Sequence, residues 1–175
     1  MKYGVVGKIS SGKDKVCELL ESFGYKTLKY SDVLKEILNS LGIKLDNRVV
    51  FQKLGSSLRN LFGSEVLSIA IINQSSNYNN VIANGIRSKG EFTCLKKAGF
   101  KIIGLLCDDD KRFERARVRK RFKEDKELTK EEFIKADEDP AEREVSKLIN
   151  DSDIIISNNG TIKDLKESLI KELSL

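Results

Sequence analysis

The chain has 175 residues, 39% of them hydrophobic and 34% charged, with three cysteines and no histidine. That length suits one domain with its own core, and the missing histidine excludes Ser-His-Asp and Cys-His catalysis and every His-bearing zinc site. Lys and Arg outnumber Asp and Glu by 32 to 27, a net charge of +5 that invites a phosphate or nucleic-acid partner. Cys17, Cys94 and Cys107 are too widely spaced for a CxxC motif. An odd, sparse set argues for a reducing compartment, with all three as small apolar core residues. No apolar stretch approaches the ~18 residues of a membrane span. The opening MKYGVVG carries no leader, so a cytoplasmic protein is expected.

In chain order, five short β-type runs stand out: Lys2–Val6, Lys26–Tyr30, Asn80–Asn84, Lys101–Cys107 and Asp153–Ser157. Their apolar cores lack long alternation, as strands buried on both faces of a parallel sheet do. After the first run, Val16, Leu19, Leu20 and Phe23 recur at helical spacing over Lys13–Phe23, and Gly24 supplies the stop. Ser31–Leu41 reads as a second helix with Ser31 or Asp32 as its cap. Asp46–Ser76 stays helical, with breaks expected near Gly55 and Gly63. Residues 31–76 are therefore a helical insertion between strands two and three. Pro140, the only proline, is expected to start a helix. Strand–helix alternation throughout predicts an α/β doubly wound, three-layer fold in one domain over residues 1–175.

The first strand runs into Gly7-Lys8-Ile9-Ser10-Ser11-Gly12-Lys13-Asp14 and then a helix, which is GxxxxGK in the strand–loop–helix context of a P-loop. Gly7 and Gly12 let the backbone fold tightly, so that N–H groups of Lys8, Ser10 and Ser11 can point at a polyphosphate. The helix N-terminus through Lys15 adds its partial positive charge, and Lys13 is the point charge for the β- and γ-phosphates. The eighth position departs from the pattern. Ser or Thr is expected there for Mg²⁺, and Asp14 stands in its place as the candidate metal ligand.

Five further stretches carry chemistry. Asn84-Gly85-Ile86-Arg87-Ser88 follows the third strand, and Asn158-Asn159-Gly160-Thr161 follows the fifth, with Thr161 as N-cap of a helix to Leu173. Lys111–Lys123 (KRFERARVRKRFK) holds eight Lys or Arg against one acid, or +7. On a helix Arg112, Arg115 and Arg119 share one face, and Arg117 and Arg121 a neighbouring one. Glu124–Glu144 then carries −6, so the net charge is concentrated in one block. Ser31-Asp32-Val33-Leu34-Lys35-Glu36 and Leu54-Gly55-Ser56-Ser57-Leu58-Arg59 lie in the helical insertion.

Taken together these segments resemble the P-loop nucleotide-kinase family over nearly the whole chain. The nearest likeness is to dephospho-CoA kinase-like and phage-type deoxynucleoside monophosphate kinase-like proteins of adenylate kinase-type fold. The resemblance implies a five-stranded parallel sheet, an acceptor-binding insertion at 31–76 and an Arg-rich lid at about 111–143. It implies ATP and Mg²⁺, with Arg115 and Arg119 closing over the donor: in the family one lid Arg packs on the base and others neutralise the transferring phosphoryl group. Asn159 and Gly160 would lie against adenine, and Asp32, Lys35, Arg59, Arg87 and Arg143 would face a small nucleotide-like acceptor. Two positions depart from the family: Asn84 where Asp is usual, and Lys35 where Arg is usual, losing the bidentate fork.

A monophosphate acceptor is already ionised and needs no base, whereas a hydroxyl acceptor gains from a carboxylate, for which Asp32 is the nominee. The expected activity is in-line γ-phosphoryl transfer. Two other classes stay open: a nucleotide-binding protein without turnover, suggested by Asp14 and Asn84, and a nucleic-acid-binding module using the +7 block. The latter has only Phe113 and Phe122 as stacking aromatics. Donor choice between ATP and GTP, and the oligomeric state, are left open by the sequence.

Overall fold

Five strands form one parallel sheet in the order β2-β3-β1-β4-β5. They are β1 (Lys2–Gly7), β2 (Lys26–Lys29), β3 (Val81–Asn84), β4 (Lys101–Leu106) and β5 (Ile154–Ser157). The computed structural model describes residues 1–45, 47–118, 129–137 and 140–175, with the side chains of 48, 136–137 and 140–143 excepted. β3 is buried at every position and β1 from Tyr3 onward, as uninterrupted apolar runs require when helices cover both faces. β1 lies between β3 and β4, with Val5 opposite both Asn84 and Ile103. The connection from β1 runs out to β2 on one side and that from β3 crosses to β4 on the other, so a crevice opens beside the carboxyl end of β1.

Side chains alternate between two cores. Tyr3, Val5, Ile82, Ile103 and Leu105 meet Val16, Cys17 and Leu20 of α1 (Lys13–Glu21) and Leu165 and Leu169 of α9 (Ile162–Leu173). Val6, Val81, Ala83 and Ile102 face the opposite layer of α2 (Tyr30–Ser40), α4 (Val66–Ser75), α5 (Lys89–Lys97) and α8 (Pro140–Asn150). Each fully buried aliphatic side chain contributes roughly 1.5–3 kcal/mol, so the two layers hold the sheet rigid beneath the loops at its carboxyl end. α3 (Arg48–Phe62) packs on α2 and α4, completing the insertion expected at 31–76. α6 (Asp109–Val118) and α7 (Lys130–Asp137) follow β4.

The structure corrects several local expectations. α2 starts at Tyr30 with Lys29 at the N-cap and no side-chain cap, so Asp32 lies inside the first turn, where its charge faces the helix dipole. α3 runs through Gly55 without a break and ends at Gly63, whose N–H donates to the Arg59 carbonyl. Glycine costs about 1 kcal/mol in a helix interior, but a Cβ at Gly55 would come within 3.0 Å of Arg59 Nη1 one turn on, with Leu34 of α2 in ordinary contact at 3.5 Å. Pro140 does begin a helix, and Thr161 caps α9. Of the cysteines only Cys17 is fully buried, its thiol pushed up to about 12 mainly by burial, while Cys94 and Cys107 are half-buried. Within the expected lid, residues 119–128 and 138–139 lie outside the described residues, and Arg119 with them. Among the described residues no helix is long and apolar enough to cross a membrane.

Candidate active site

β1 ends at Gly7 and α1 begins at Lys13, so the loop between them is short and its peptide groups need partners from elsewhere. Lys13 Nζ donates to the carbonyls of Gly7 (2.5 Å) and Lys8 (2.8 Å). Arg112 Nη1 donates to the Ile9 carbonyl at 3.1 Å, and Asn158 Nδ2 to the Ser11 carbonyl at 2.8 Å. A trans peptide holds its C=O and the next N–H on opposite sides. Anchoring the Ile9 and Ser11 carbonyls from behind therefore turns the amides of Ser10 and Gly12 the other way. Gly12 takes φ +103, and a Cβ there would lie 2.2 Å from Asn158 Nδ2, so only glycine fits. Ser11 Oγ is buried with no hydrogen-bond partner among the described residues. Inward amides, an unsatisfied hydroxyl and a lysine ammonium make a set of donors that fits a polyphosphate.

Asp14 stands in the first turn of α1 and accepts a hydrogen bond from Asn84 Nδ2 at 2.8 Å. Asn84 is the buried last residue of β3. The amide donates and the carboxylate accepts, so the two departures seen in the sequence are partners. Mg²⁺ on a nucleotide needs only one or two carboxylates beside phosphate oxygens and waters, and Asp14 could supply one. The Lys15 ammonium pairs with Glu18 on the outer side of α1.

A second node lies where β3 turns into α5. Ser88 and Glu91 form a capping box: Ser88 Oγ accepts from the Glu91 N–H at 3.2 Å, and Glu91 Oε2 accepts from the N–H groups of Ser88 (3.1 Å) and Arg87 (2.7 Å). The other oxygen, Oε1, accepts from Arg59 Nε at 2.9 Å and Nη2 at 2.8 Å. Glu91 is fully buried, and burial pushes its carboxyl up against the opposing pull of Arg59 and the two backbone N–H groups. Below it, the Glu91 carbonyl accepts from Ser68 Oγ (3.2 Å), which bonds Tyr30 Oη at 2.6 Å. Arg59 of α3 is thereby joined to the Arg87 turn, with the first residue of α2 tied to the same node. Glu91 was missed in the sequence, although Ser88-Lys89-Gly90-Glu91 carries the S-x-x-E signature that would have found it.

The remaining candidates are spread around these nodes. The Lys35 ammonium sits 5.8 Å from the Phe51 ring centroid of α3, and Asp32 is exposed on α2. Arg143 belongs to α8, and its side chain lies outside the described residues. Its neighbour Glu144 accepts from the Lys89 N–H at 2.7 Å, fastening α8 to the start of α5. Asn159 exchanges two hydrogen bonds of 2.8 Å with Asp108, and Lys111 bonds the Asn159 carbonyl, so the Asn159-Gly160 turn is docked on the β4–α6 joint. Asn158, one residue earlier, holds the phosphate loop.

Arg115 Nη1 meets Cys107 Sγ at 3.2 Å at the end of β4. Arg112, on the same helical face, also lies near Cys107. It is fully buried, with Nη2 on Asp109 at 2.7 Å and its guanidinium 5.1 Å from the Phe133 ring of α7. Charge periodicity places arginines on a face, but it cannot say which one a neighbouring aromatic will cover. A cleft of about 220 Å³ beside the loop is lined by Lys8, Cys107, Asp109, Arg112 and Ser146 among others.

No family model matches the chain. It is 29% identical over 168 residues to a UPF0200 protein of Methanothermobacter thermautotrophicus, covering 94% of this chain and 84% of that one. A UPF0200 protein of Sulfurisphaera tokodaii is also 29% identical, covering 97% and 95%. Among solved structures, shikimate kinase from Bacteroides thetaiotaomicron superposes with a TM-score of 0.70 at 12% identity, covering 100% and 99% of the two chains. A gluconokinase from Sinorhizobium meliloti gives 0.57 at 12% identity, covering 99% and 91%. The sheet order and these likenesses give the chain the fold of the P-loop kinases.

Proposed function

We propose that the chain is an ATP- and Mg²⁺-dependent phosphotransferase that moves the γ-phosphoryl group to a small nucleotide-like acceptor, either dephospho-CoA or a (deoxy)nucleoside monophosphate. The observation that carries this reading is the loop itself: anchored carbonyls behind, amides turned inward and Lys13 across the opening. Lys13 exchanges two carbonyls for phosphate oxygens when nucleotide arrives. Asp14 would hold Mg²⁺, which would supply charge neutralisation there. Arg115 and Arg119 close over the donor, and Asn159 and Gly160 lie against its base. Arg59, Arg87, Lys35 and Arg143 hold the acceptor, on a frame fixed by Glu91. Asp32 takes a proton only if the acceptor presents a hydroxyl.

The burial of Arg112 bears on the rival nucleic-acid reading, because it removes one charge of the +7 block from any outward face. The protein is taken to act in the cytoplasm, as one domain, without nucleic acid or membrane.

Lys13→Ala should lower turnover on the order of 10²–10³-fold while leaving the fold intact. The assay is ADP release with dephospho-CoA, the ribo- and deoxynucleoside monophosphates and, from the fold's neighbours, shikimate and gluconate as hydroxyl acceptors. Turnover retained by Lys13→Ala sinks the mechanism. ATP binding without ADP release across the whole panel makes the chain a nucleotide-binding protein instead.

A further inference from the structure

The phosphate loop contains one residue whose backbone its side chain disfavours. Ser10 takes φ +58, in the left-handed region that residues with a Cβ avoid. The peptide before it, Ile9–Ser10, has its carbonyl bonded to Arg112 Nη1 at 3.1 Å. Arg112 is itself held by Asp109 Oδ1 at 2.7 Å, at the start of α6, and by Phe133 of α7, a ring that is itself buried. A buried guanidinium with anchors on several elements has a fixed direction, and its planar fork delivers one N–H to one carbonyl.

We propose that Arg112 is a positioning residue for the nucleotide loop: by gripping the Ile9 carbonyl it keeps Ser10 left-handed and its N–H turned toward a bound polyphosphate. Asn158 does the same for the next anchored peptide, but glycine accepts φ +103 there unaided. At Ser10 the grip is what opposes relaxation. The inference rests on the reading that this loop binds polyphosphate.

The test is a cycle of Arg112→Met, Arg112→Lys, Ser10→Gly and the double variant Ser10→Gly/Arg112→Met. Affinity for Mg·ATP and for inorganic pyrophosphate is measured by titration calorimetry, and exchange of the Ser10 amide by NMR in the ligand-free protein. Arg112→Met should weaken both ligands at least tenfold and speed Ser10 exchange at least tenfold. Arg112→Lys, which keeps the charge and loses the fork, should do the same, and it carries the test if Arg112→Met unfolds. Ser10→Gly keeps the backbone N–H and takes the left-handed conformation freely, so it is the reference for the double variant. The double variant should bind within about threefold of Ser10→Gly, a rescue that a merely structural role would not give. Wild-type affinity in both Arg112 variants, or a double variant no better than Arg112→Met, overturns the proposal. If the wild-type protein binds neither ligand, the polyphosphate reading fails. The role of Arg112 is then decided by Ser10 exchange, and exchange unchanged by Arg112→Met overturns it.

Discussion

Asp14 and Asn84 are each unusual for a phosphate-loop protein, and the 2.8 Å hydrogen bond between them explains both at once. A carboxylate on the loop needs a donor opposite it, and an amide on the strand supplies one. Two carboxylates at that separation would repel, and one would take up a proton. Asn84→Asp should therefore weaken Mg·ATP binding roughly tenfold, about 1.4 kcal/mol. Asp14→Ser with Asn84→Asp returns the donor to the loop and the acceptor to the strand, and should recover most of that loss. Calorimetric titration of ATP at several Mg²⁺ concentrations checks both. An Asn84→Asp protein that binds Mg·ATP like wild type would show the pair to lie off the metal side. Both residues were visible in the sequence as departures. Their contact was not, because 70 positions separate them along the chain. Absence of histidine, in contrast, costs this site nothing, since it is built from lysine, arginine, aspartate and backbone amides.

At the scale of elements, Glu91 decides how α3 meets the β3–α5 turn. Its carboxylate is buried, and it accepts from the Arg59 side chain and from two backbone N–H groups. Removing one charge of a buried pair typically costs 3–5 kcal/mol, because the other charge is left behind. Glu91→Gln should accordingly lower stability by about 3 kcal/mol in urea unfolding, and adding Arg59→Met should cost less than the two changes separately. ATP affinity should hold, because Glu91 braces α3 and the β3–α5 turn rather than the β1–α1 loop. Additive losses would mean that the ion pair does not join the two elements. The capping box made Glu91 legible at short range, and apolar runs made every strand legible for the same local reason. Gly55 misled, because one glycine costs a helix interior only about 1 kcal/mol, which the packing of α3 on α2 and α4 outweighs. Arg112 misled likewise: spacing grouped it with the expected lid arginines, but it is buried with Phe133 over its guanidinium.

Across the whole molecule, the sheet separates function from stability. The phosphate loop, Asn84 and Asn158 all lie at the carboxyl ends of the strands, where parallel α/β sheets bind ligands. The opposite end is closed by Asp153, just before β5, whose Oδ2 accepts from the Ile102 N–H of β4 and whose Oδ1 accepts from Lys96 of α5, both at 2.7 Å. Burial raises the Asp153 carboxyl, but the hydrogen bonds from Lys96 and Ile102 outweigh it and hold the group below the usual carboxylate range. A carboxyl lowered by folding takes up its proton first in the unfolded chain. Its contribution is thus complete above the unfolded value near 3.9 and is lost as pH falls through the lower folded value. Asp153→Asn keeps the shape and removes the charge, so it should be about 1–2 kcal/mol less stable than wild type at pH 7. That gap should narrow as the pH is taken below about 4. Urea unfolding at pH 7, 5 and 3 measures it, with ATP affinity at pH 7 as the control that must not move. A gap independent of pH would show that Asp153 acts by shape and not by charge, and a loss of ATP affinity would show that the two ends of the sheet are coupled.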